Sequence, residues 1–175
     1  QGYPHKQITA DAITTLSYDV MGNLLDSETR SPAGELLDIT HTDYDLRNRP
    51  ILTYSGSPDK ATHIAYHPSG MPKAKWRGRA YRLYDYDPRG FLITETDPLG
   101  TETTYTYDAI GNTLSETKGG LTTTTTYEPE SLPSTTTTPS GATTTYRYTT
   151  YGLPILITHP DGTKSRTIYD DLGRV

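Results

Sequence analysis

A tyrosine-led motif, Tyr-Asp-x-x-Gly, returns along this chain at a nearly fixed interval, and that period limits the fold more than any other feature. The nearly intact copies begin at Tyr18-Asp19 with Gly22, Tyr86-Asp87 with Gly90, Tyr107-Asp108 with Gly111, and Tyr169-Asp170 with Gly173. The worn copies are Tyr44-Asp45-Leu46-Arg47-Asn48, Tyr66-His67-Pro68-Ser69-Gly70, Tyr127-Glu128-Pro129-Glu130-Ser131 and Tyr148-Thr149-Thr150-Tyr151-Gly152. After steps of 26 and 22, every tyrosine follows the last by 20 or 21 residues. Tyrosine suits a half-buried strand position, whereas Asp, Pro and Gly supply turn chemistry, so each copy reads as a strand entering a tight turn. Asn48 replaces glycine and still tolerates the left-handed region; Ser131 is a poorer substitute.

Second turn signals lie midway between the copies: Ser31-Pro32-Ala33-Gly34, Asp97-Pro98-Leu99-Gly100, Lys118-Gly119-Gly120, Thr138-Pro139-Ser140-Gly141 and Pro160-Asp161-Gly162. Two turns per period of about 21 leave strands of roughly six residues, a usual strand length. The expected fold is all-β: consecutive antiparallel β-hairpins of about 21 residues in a curved or spiralling sheet, with helix at most a single turn. Tyr105 with Tyr107, Tyr84 with Tyr86, Tyr146 with Tyr148, and Ile64 with Tyr66 share one face; Thr104, Thr106, Arg147, Asp85 and Ala65 point the other way. Pro50, Pro72, Pro133 and Pro154 sit two residues past the glycine position, where a strand's first residue tolerates proline. The long first repeat predicts a bulge or wider loop between Gly34 and His41.

These motif copies, their spacing and the Pro-x-Gly turns between them resemble the YD-repeat, or Rhs-repeat, family, which includes bacterial Rhs toxins, toxin-complex B and C components, wall-associated proteins and teneurins. The resemblance implies hairpins wound into a hollow shell. It covers residues 18–175 as eight repeats, with residues 1–17 as a lead-in strand and linker, all in one array. The chain stops inside a motif, at Leu172-Gly173-Arg174-Val175, which reads as a fragment of a longer protein. The implied function is structural: part of a β-shell around a toxin or effector domain in a bacterial protein that is secreted or displayed at the cell surface. The implied partners are neighbouring repeats and the enclosed domain. The second reading is an adhesion module that recognises carbohydrate or a cell-surface receptor through its tyrosine faces.

Composition decides between order and disorder. Only 29 of 175 residues are Leu, Ile, Val or Phe, a share low enough for a disordered chain, yet the net charge is only −5 and fifteen tyrosines supply β-formers. The threonine runs 122–126, 135–138 and 143–145 read as strands rather than as a mucin-like tract, because the tyrosine phase continues through them. No cysteine is present, which removes disulfides and thiol metal sites. No apolar run has membrane-spanning length.

The residue patterns give no catalytic set, cofactor site or metal site, and the chain reads as a non-enzyme. His63 and His67 share a strand face without further ligands at suitable spacing. Asp87, Asp108 and Asp170 stand singly per turn, too sparse for calcium, and read as caps. Asp97-Pro98-Leu99-Gly100 resembles the Asp-Pro-x-Gly element near the self-cleavage site of some Rhs proteins, but its mid-repeat place reads as a turn. Lys73, Lys75, Arg77, Arg79 and Arg82 cluster around Trp76 and Tyr81; the acidic balance elsewhere argues against nucleic acid. Unpaired sheet edges are expected near Thr14–Ser17 and Thr167–Tyr169, which would favour edge-to-edge self-association.

Overall fold

The computed structural model describes residues 5–170 and 172–175; residues 1–4 of the lead-in and Asp171 of the last motif copy lie outside the described residues. The chain divides into two compact units, Gln1–Tyr84 with Asp97–Leu99, and Asp85–Thr96 with Gly100–Val175. The first contains β1 (Lys6–Ile8), β2 (Ile13–Tyr18), β3 (Leu24–Arg30), β4 (Leu36–Tyr44), β5 (Pro50–Ser55), β6 (Thr62–Tyr66), β7 (Pro72–Arg77) and most of β8 (Ala80–Tyr86). The second contains β9 (Leu92–Thr96), β10 (Glu102–Tyr107), β11 (Thr113–Lys118), β12 (Leu121–Glu128), β13 (Leu132–Thr137), β14 (Thr143–Tyr148), β15 (Pro154–Thr158) and β16 (Lys164–Arg166). Within each unit every strand pairs antiparallel with its chain neighbours, with no crossover. The only helical turns among the described residues are the short 3-10 segments Pro58–Lys60 and Pro129–Ser131. The expected all-β run of consecutive hairpins is the observed architecture.

Burial follows the alternation read from the sequence. In β8, Arg82, Tyr84 and Tyr86 are half-buried while Tyr81, Leu83 and Asp85 are exposed. In β12, Thr123, Thr125 and Tyr127 are half-buried between exposed threonines. Neither unit has a second layer over its sheet: among the described residues only Ala61 and Thr103 are buried, each 8% exposed. Cohesion therefore comes from ladder hydrogen bonds and cross-strand pairs, each pair worth about 0.2–1 kcal/mol. The threonine runs lie in β12, β13 and β14, where hydroxyls pair across strands: Thr117 with Thr122 at 2.9 Å, Thr126 with Thr135 at 2.7 Å and Thr137 with Thr143 at 3.0 Å.

The long first repeat holds a register shift between Thr29 and Arg30, which pair with Asp38 and Leu36, so Leu37 is the extra residue. One feature departs from expectation. β2 is not an unpaired edge, because β1 runs beside it, with Thr14 opposite Gln7 and Leu16 N–H bonded to the His5 carbonyl. At the other end β16, extended by the bond from Thr167 N–H to the Ile155 carbonyl at 3.1 Å, is the last strand of the order and among the described residues pairs only with β15, so an edge lies there as expected. The sequence carried too little strand pattern in Lys6–Ile8 and Lys164–Arg166 for either pairing to be seen. Mid-repeat turns at Pro58–Lys60 and at Gly78, which links β7 to β8, were also unmarked.

Gly111 has φ +99°, and a Cβ there would stand 2.7 Å from Cζ of Phe91. Gly119, at φ +57°, has open space around it. We therefore expect Gly111→Val to cost roughly 1–3 kcal/mol more than Gly119→Val, since both strain the backbone but only the first displaces a neighbouring ring. Urea midpoints of the two variants check the difference.

Candidate functional site: the tyrosine latch and its turn

The motif aspartate organises each intact turn. Its backbone N–H donates to the carbonyl four residues on, and the glycine N–H donates back to its carbonyl, as in Asp19 with Asn23 and Gly22 at 3.0 and 3.1 Å. Its Oδ1 accepts the N–H groups two and four residues on: Met21 and Asn23 for Asp19, Arg47 and Arg49 for Asp45, Arg89 and Phe91 for Asp87, Ile110 and Asn112 for Asp108, Leu172 and Arg174 for Asp170. Oδ2 is then free for a side chain, at 2.8 Å from Asn23, Arg49, Asn112 or Arg174 four residues on and from Arg89 two residues on. One carboxylate thus satisfies the donors a five-residue loop leaves unpaired. Thr149 does the same with its hydroxyl, which accepts from Tyr151 and Leu153. His67 keeps the backbone bonds of the turn, to Met71 and Gly70, and its Nε2 lies 3.3 Å from the Tyr84 carbonyl.

Gly22, Gly70, Gly90, Gly111, Gly152 and Gly173 all have positive φ, and Asn48 takes their place at φ 58°. The sixth turn is built differently: Glu130 and Ser131 both adopt positive φ, 71° and 62°, in the 3-10 segment between β12 and β13. Without glycine or the capping aspartate, the loop tightens and carries its strain on two side-chain-bearing residues. The mid-repeat turns at Ser31, Thr138 and His159 use the same bonding pattern, and Asp97 caps Leu99 N–H at 2.9 Å, so Asp97–Gly100 is built as a turn.

Six of the eight motif turns sit beside a bulge. The register shifts next to Tyr18, Tyr44, Tyr66, Tyr107, Tyr127 and Tyr148, which pair with Leu24, Pro50, Pro72, Thr113, Pro133 and Pro154. A bulge interrupts the ladder and leaves backbone groups without strand partners. The next repeat supplies one: Tyr66 Oη donates to the Pro50 carbonyl at 2.8 Å, Tyr107 to Leu92 at 2.8 Å, Tyr127 to Thr113 at 3.0 Å, Tyr148 to Pro133 at 2.8 Å and Tyr169 to Pro154 at 3.1 Å. Burial pushes the phenols of Tyr107 and Tyr148 above their usual range, so they remain donors at any physiological pH.

The residue following the glycine position completes the contact, a role that no motif pattern marks. Arg49 lies 4.2 Å over the Tyr66 ring, and Phe91 packs 5.1 Å from Tyr107. Leu132 and Leu153 lie where a Cβ on Gly152 or Gly173 would touch them, at 3.7 and 3.4 Å. Arginines two residues beyond the motif aspartate strut one turn to the next, Arg47 to the Pro68 carbonyl at 2.9 Å and Arg89 to the Asp108 carbonyl at 2.8 Å. Only the receiving carbonyls had a sequence trace: the shared phase of Pro50, Pro133 and Pro154.

A separate polar row crosses β2 to β5 on the opposite face. Ser17 Oγ donates to Asp26 Oδ2 at 2.6 Å, His41 Nδ1 meets Asp26 Oδ1 at 2.6 Å and its Nε2 meets Asp43 at 3.2 Å, with Tyr54 stacked 5.1 Å from the imidazole. The hydrogen bond that His41 donates to Asp26 foremost raises its pKa. The serine hydroxyl is turned to a carboxylate and not to the imidazole, so the row is not arranged for nucleophilic attack. His63 is stacked 5.0 Å from Trp76, and no group of three or more metal-ligating side chains forms among the described residues.

Two outcomes follow for stability. Tyr148→Phe removes the Pro133 latch and keeps the ring, so it should cost about 1 kcal/mol in denaturant melts, and Tyr148→Ala about 2–3 kcal/mol. The Arg49 guanidinium, followed by the turn N–H groups, holds the Asp45 carboxyl at about 2, against 3.8 for a free group. Its folded pKa is depressed, so the stability it contributes is complete above the unfolded value and is lost as pH falls from 3.8 toward 2. Asp19, Asp87, Asp108 and Asp170 are lowered as well, so Asp45→Asn should flatten the acid limb of the melting curve only in part.

Residues 86–123 match the family model described as RHS Repeat. No curated protein sequence matches the chain. Among solved structures, the Photorhabdus luminescens Tc holotoxin pore, in a form with a mutated TccC3, matches over 85% of this chain with TM-score 0.64 and 19% identity. TcdB2-TccC3 without its hypervariable C-terminal region matches over 95% with TM-score 0.62 and 16% identity, and TcdB2-TccC3-TEV over 98% with TM-score 0.57 and 19% identity. The chain spans only 9–12% of the length of these three. Residues 86–123, the stretch similar to the RHS Repeat model, contain one latch, from Tyr107 to Leu92, and two aspartate turns, at Asp87 and Asp108, of the kind that recurs elsewhere in the chain.

Proposed function

We propose that this chain is a structural wall segment: one stretch of a β-shell that encloses a toxin or effector polypeptide in a bacterial protein exported from the cell. The observation that carries the reading is the latch. Five motif tyrosines each close a backbone carbonyl of the preceding repeat, so within each unit the hydrogen bonding is carried from hairpin to hairpin. Bulges bend a strand and increase its local twist, and one stands beside six of the motif tyrosines. The fold likeness to Tc toxin components supports the same reading. Tyr18, Tyr44, Tyr66, Tyr86, Tyr107, Tyr127, Tyr148 and Tyr169, with Asp19, Asp45, Asp87, Asp108 and Asp170 and the turn glycines, would be structural residues of that wall and not catalytic ones.

Carbohydrate recognition is less well supported. Sugar stacking needs an open ring face, whereas Trp76 is stacked between His63 at 5.0 Å and Tyr81 at 5.7 Å, and most motif tyrosines are bonded to the neighbouring repeat. The test is protease accessibility in the protein that carries this array. A protease site inserted between Gly119 and Gly120 should leave the neighbouring domain protected until that site is cut. A neighbouring domain digested equally fast before and after the cut overturns the enclosure.

A further inference from the structure

His41 stands between two carboxylates. Strand pairing sets it opposite Asp26 of β3, and alternation along β4 puts Asp43 on the same face. Nδ1 meets Asp26 Oδ1 at 2.6 Å, and Nε2 meets Asp43 Oδ1 at 3.2 Å. An ionised carboxylate only accepts, and a neutral imidazole has a single N–H. Both contacts are therefore hydrogen bonds only when the ring carries two protons. A neutral His41 would turn a lone pair toward one of the two carboxylates.

The groups around the ring fit a cation. Ser17 Oγ donates to the other oxygen of Asp26 at 2.6 Å, and the bonds from Ser17 and then His41 hold that carboxyl below its usual range. Asp26 is thus ionised wherever His41 titrates. Glu28 of β3 shares this face through its pairing with Ile39, and Arg30 is ion-paired to it. From β5, Leu52 and Tyr54 face the same side, with Tyr54 stacked on the imidazole at an interplanar angle of 25°. Lys60 and Arg77 line a concavity shared with His41 and Tyr54, and Asp59 lies within their field. The contacts with Asp26 and Asp43 outweigh the burial of the ring, so His41 titrates above its ordinary 6.5.

We propose that His41 is a proton-operated clamp in this sheet: the doubly protonated ring ties β3 to β4 and holds Asp43 beside the Tyr44 bulge, and loss of one proton releases that end of β4. Asp43, opposite Leu52, is the last residue before the register shifts; Tyr44 follows opposite Pro50, whose carbonyl receives Tyr66. A change at His41 therefore reaches the turn of the second repeat and the latch that fastens it. The folded pKa is raised, so the stability from the clamp is complete below 6.5 and is lost as pH rises through the folded value. At the acid end the depressed Asp26 carboxyl sets the limit, since its contribution is lost as pH falls below 3.8. The proposal stands independently of enclosure, since it requires only the register of β3 and β4 and three side chains.

Two measurements on the 175-residue chain test it. In an NMR titration the His41 imidazole should titrate above 6.5, and Asp26→Asn should lower its pKa. His63, stacked on Trp76 with no carboxylate at either ring nitrogen among the described residues, is the control that Asp26→Asn leaves in place. Amide exchange in residues 36–44, corrected for its intrinsic rise with pH, should speed up at least about threefold between about pH 5 and about pH 8, the loss of one modest hydrogen bond. Residues 121–128 of the second unit should show no such change. His41→Gln, which keeps a donor but carries no charge, should abolish the pH dependence in residues 36–44. The wild-type titration and exchange need no variant, so a substitution that unfolds the sheet leaves the test intact. A His41 pKa at or below 6.5, an equal shift of His41 and His63 in Asp26→Asn, unchanged exchange in residues 36–44, or pH-dependent exchange that survives His41→Gln overturns the proposal.

Discussion

The hydrogen bond from a motif tyrosine to a carbonyl beside the preceding bulge is the contact on which the array depends. A bulge by itself weakens a ladder, because it leaves backbone groups unpaired at the point where the strand bends. Tyr66, Tyr107, Tyr127, Tyr148 and Tyr169 reach back 14–16 residues to a backbone carbonyl, and the rings of Tyr66 and Tyr107 also cover the turn residue of the same preceding repeat. The bend and its repair are thus built by adjacent repeats. A hairpin taken alone would keep the bulge and lose the latch.

This coupling matters because no conventional core exists. With only two buried residues among those described, hydrophobic burial is spread thinly over both units. Stability in such a sheet is close to a sum of repeat and nearest-neighbour terms, so what each turn contributes is felt locally. Aspartate is well suited to that task, since one short side chain caps two N–H groups and still accepts from a third partner. Where aspartate is lost the array adjusts in different ways: Thr149 caps with a hydroxyl, His67 relies on the backbone bonds, and the turn at Pro129–Ser131 collapses to a shorter loop.

Much of the site was legible from residue chemistry. The tyrosine period, the turn at each Asp-x-x-Gly and the left-handed Asn48 all follow from local preferences that a single strand or loop expresses by itself. The weaker turn at Ser131 was legible for the same reason, as an absence of glycine. The roles of Arg49, Phe91 and Leu132 were not, because arginine, phenylalanine and leucine in one sequence position share no chemistry except the ring or glycine they meet in the next repeat. β1 and β16 were missed because three-residue strands carry no alternation to read.

The sequence by itself determined that the chain is a series of hairpins, with turns at fixed phase and tyrosines on one face, since turn propensity and period-two alternation act within a few residues. Only the tertiary structure decided where the bulges fall, which carbonyl each tyrosine hydroxyl finds, and that His41 lies between the carboxylates of Asp26 and Asp43. These depend on strand register, and a shift of one residue exchanges the two faces of a strand. Register is set by pairing between segments that local sequence preferences do not connect.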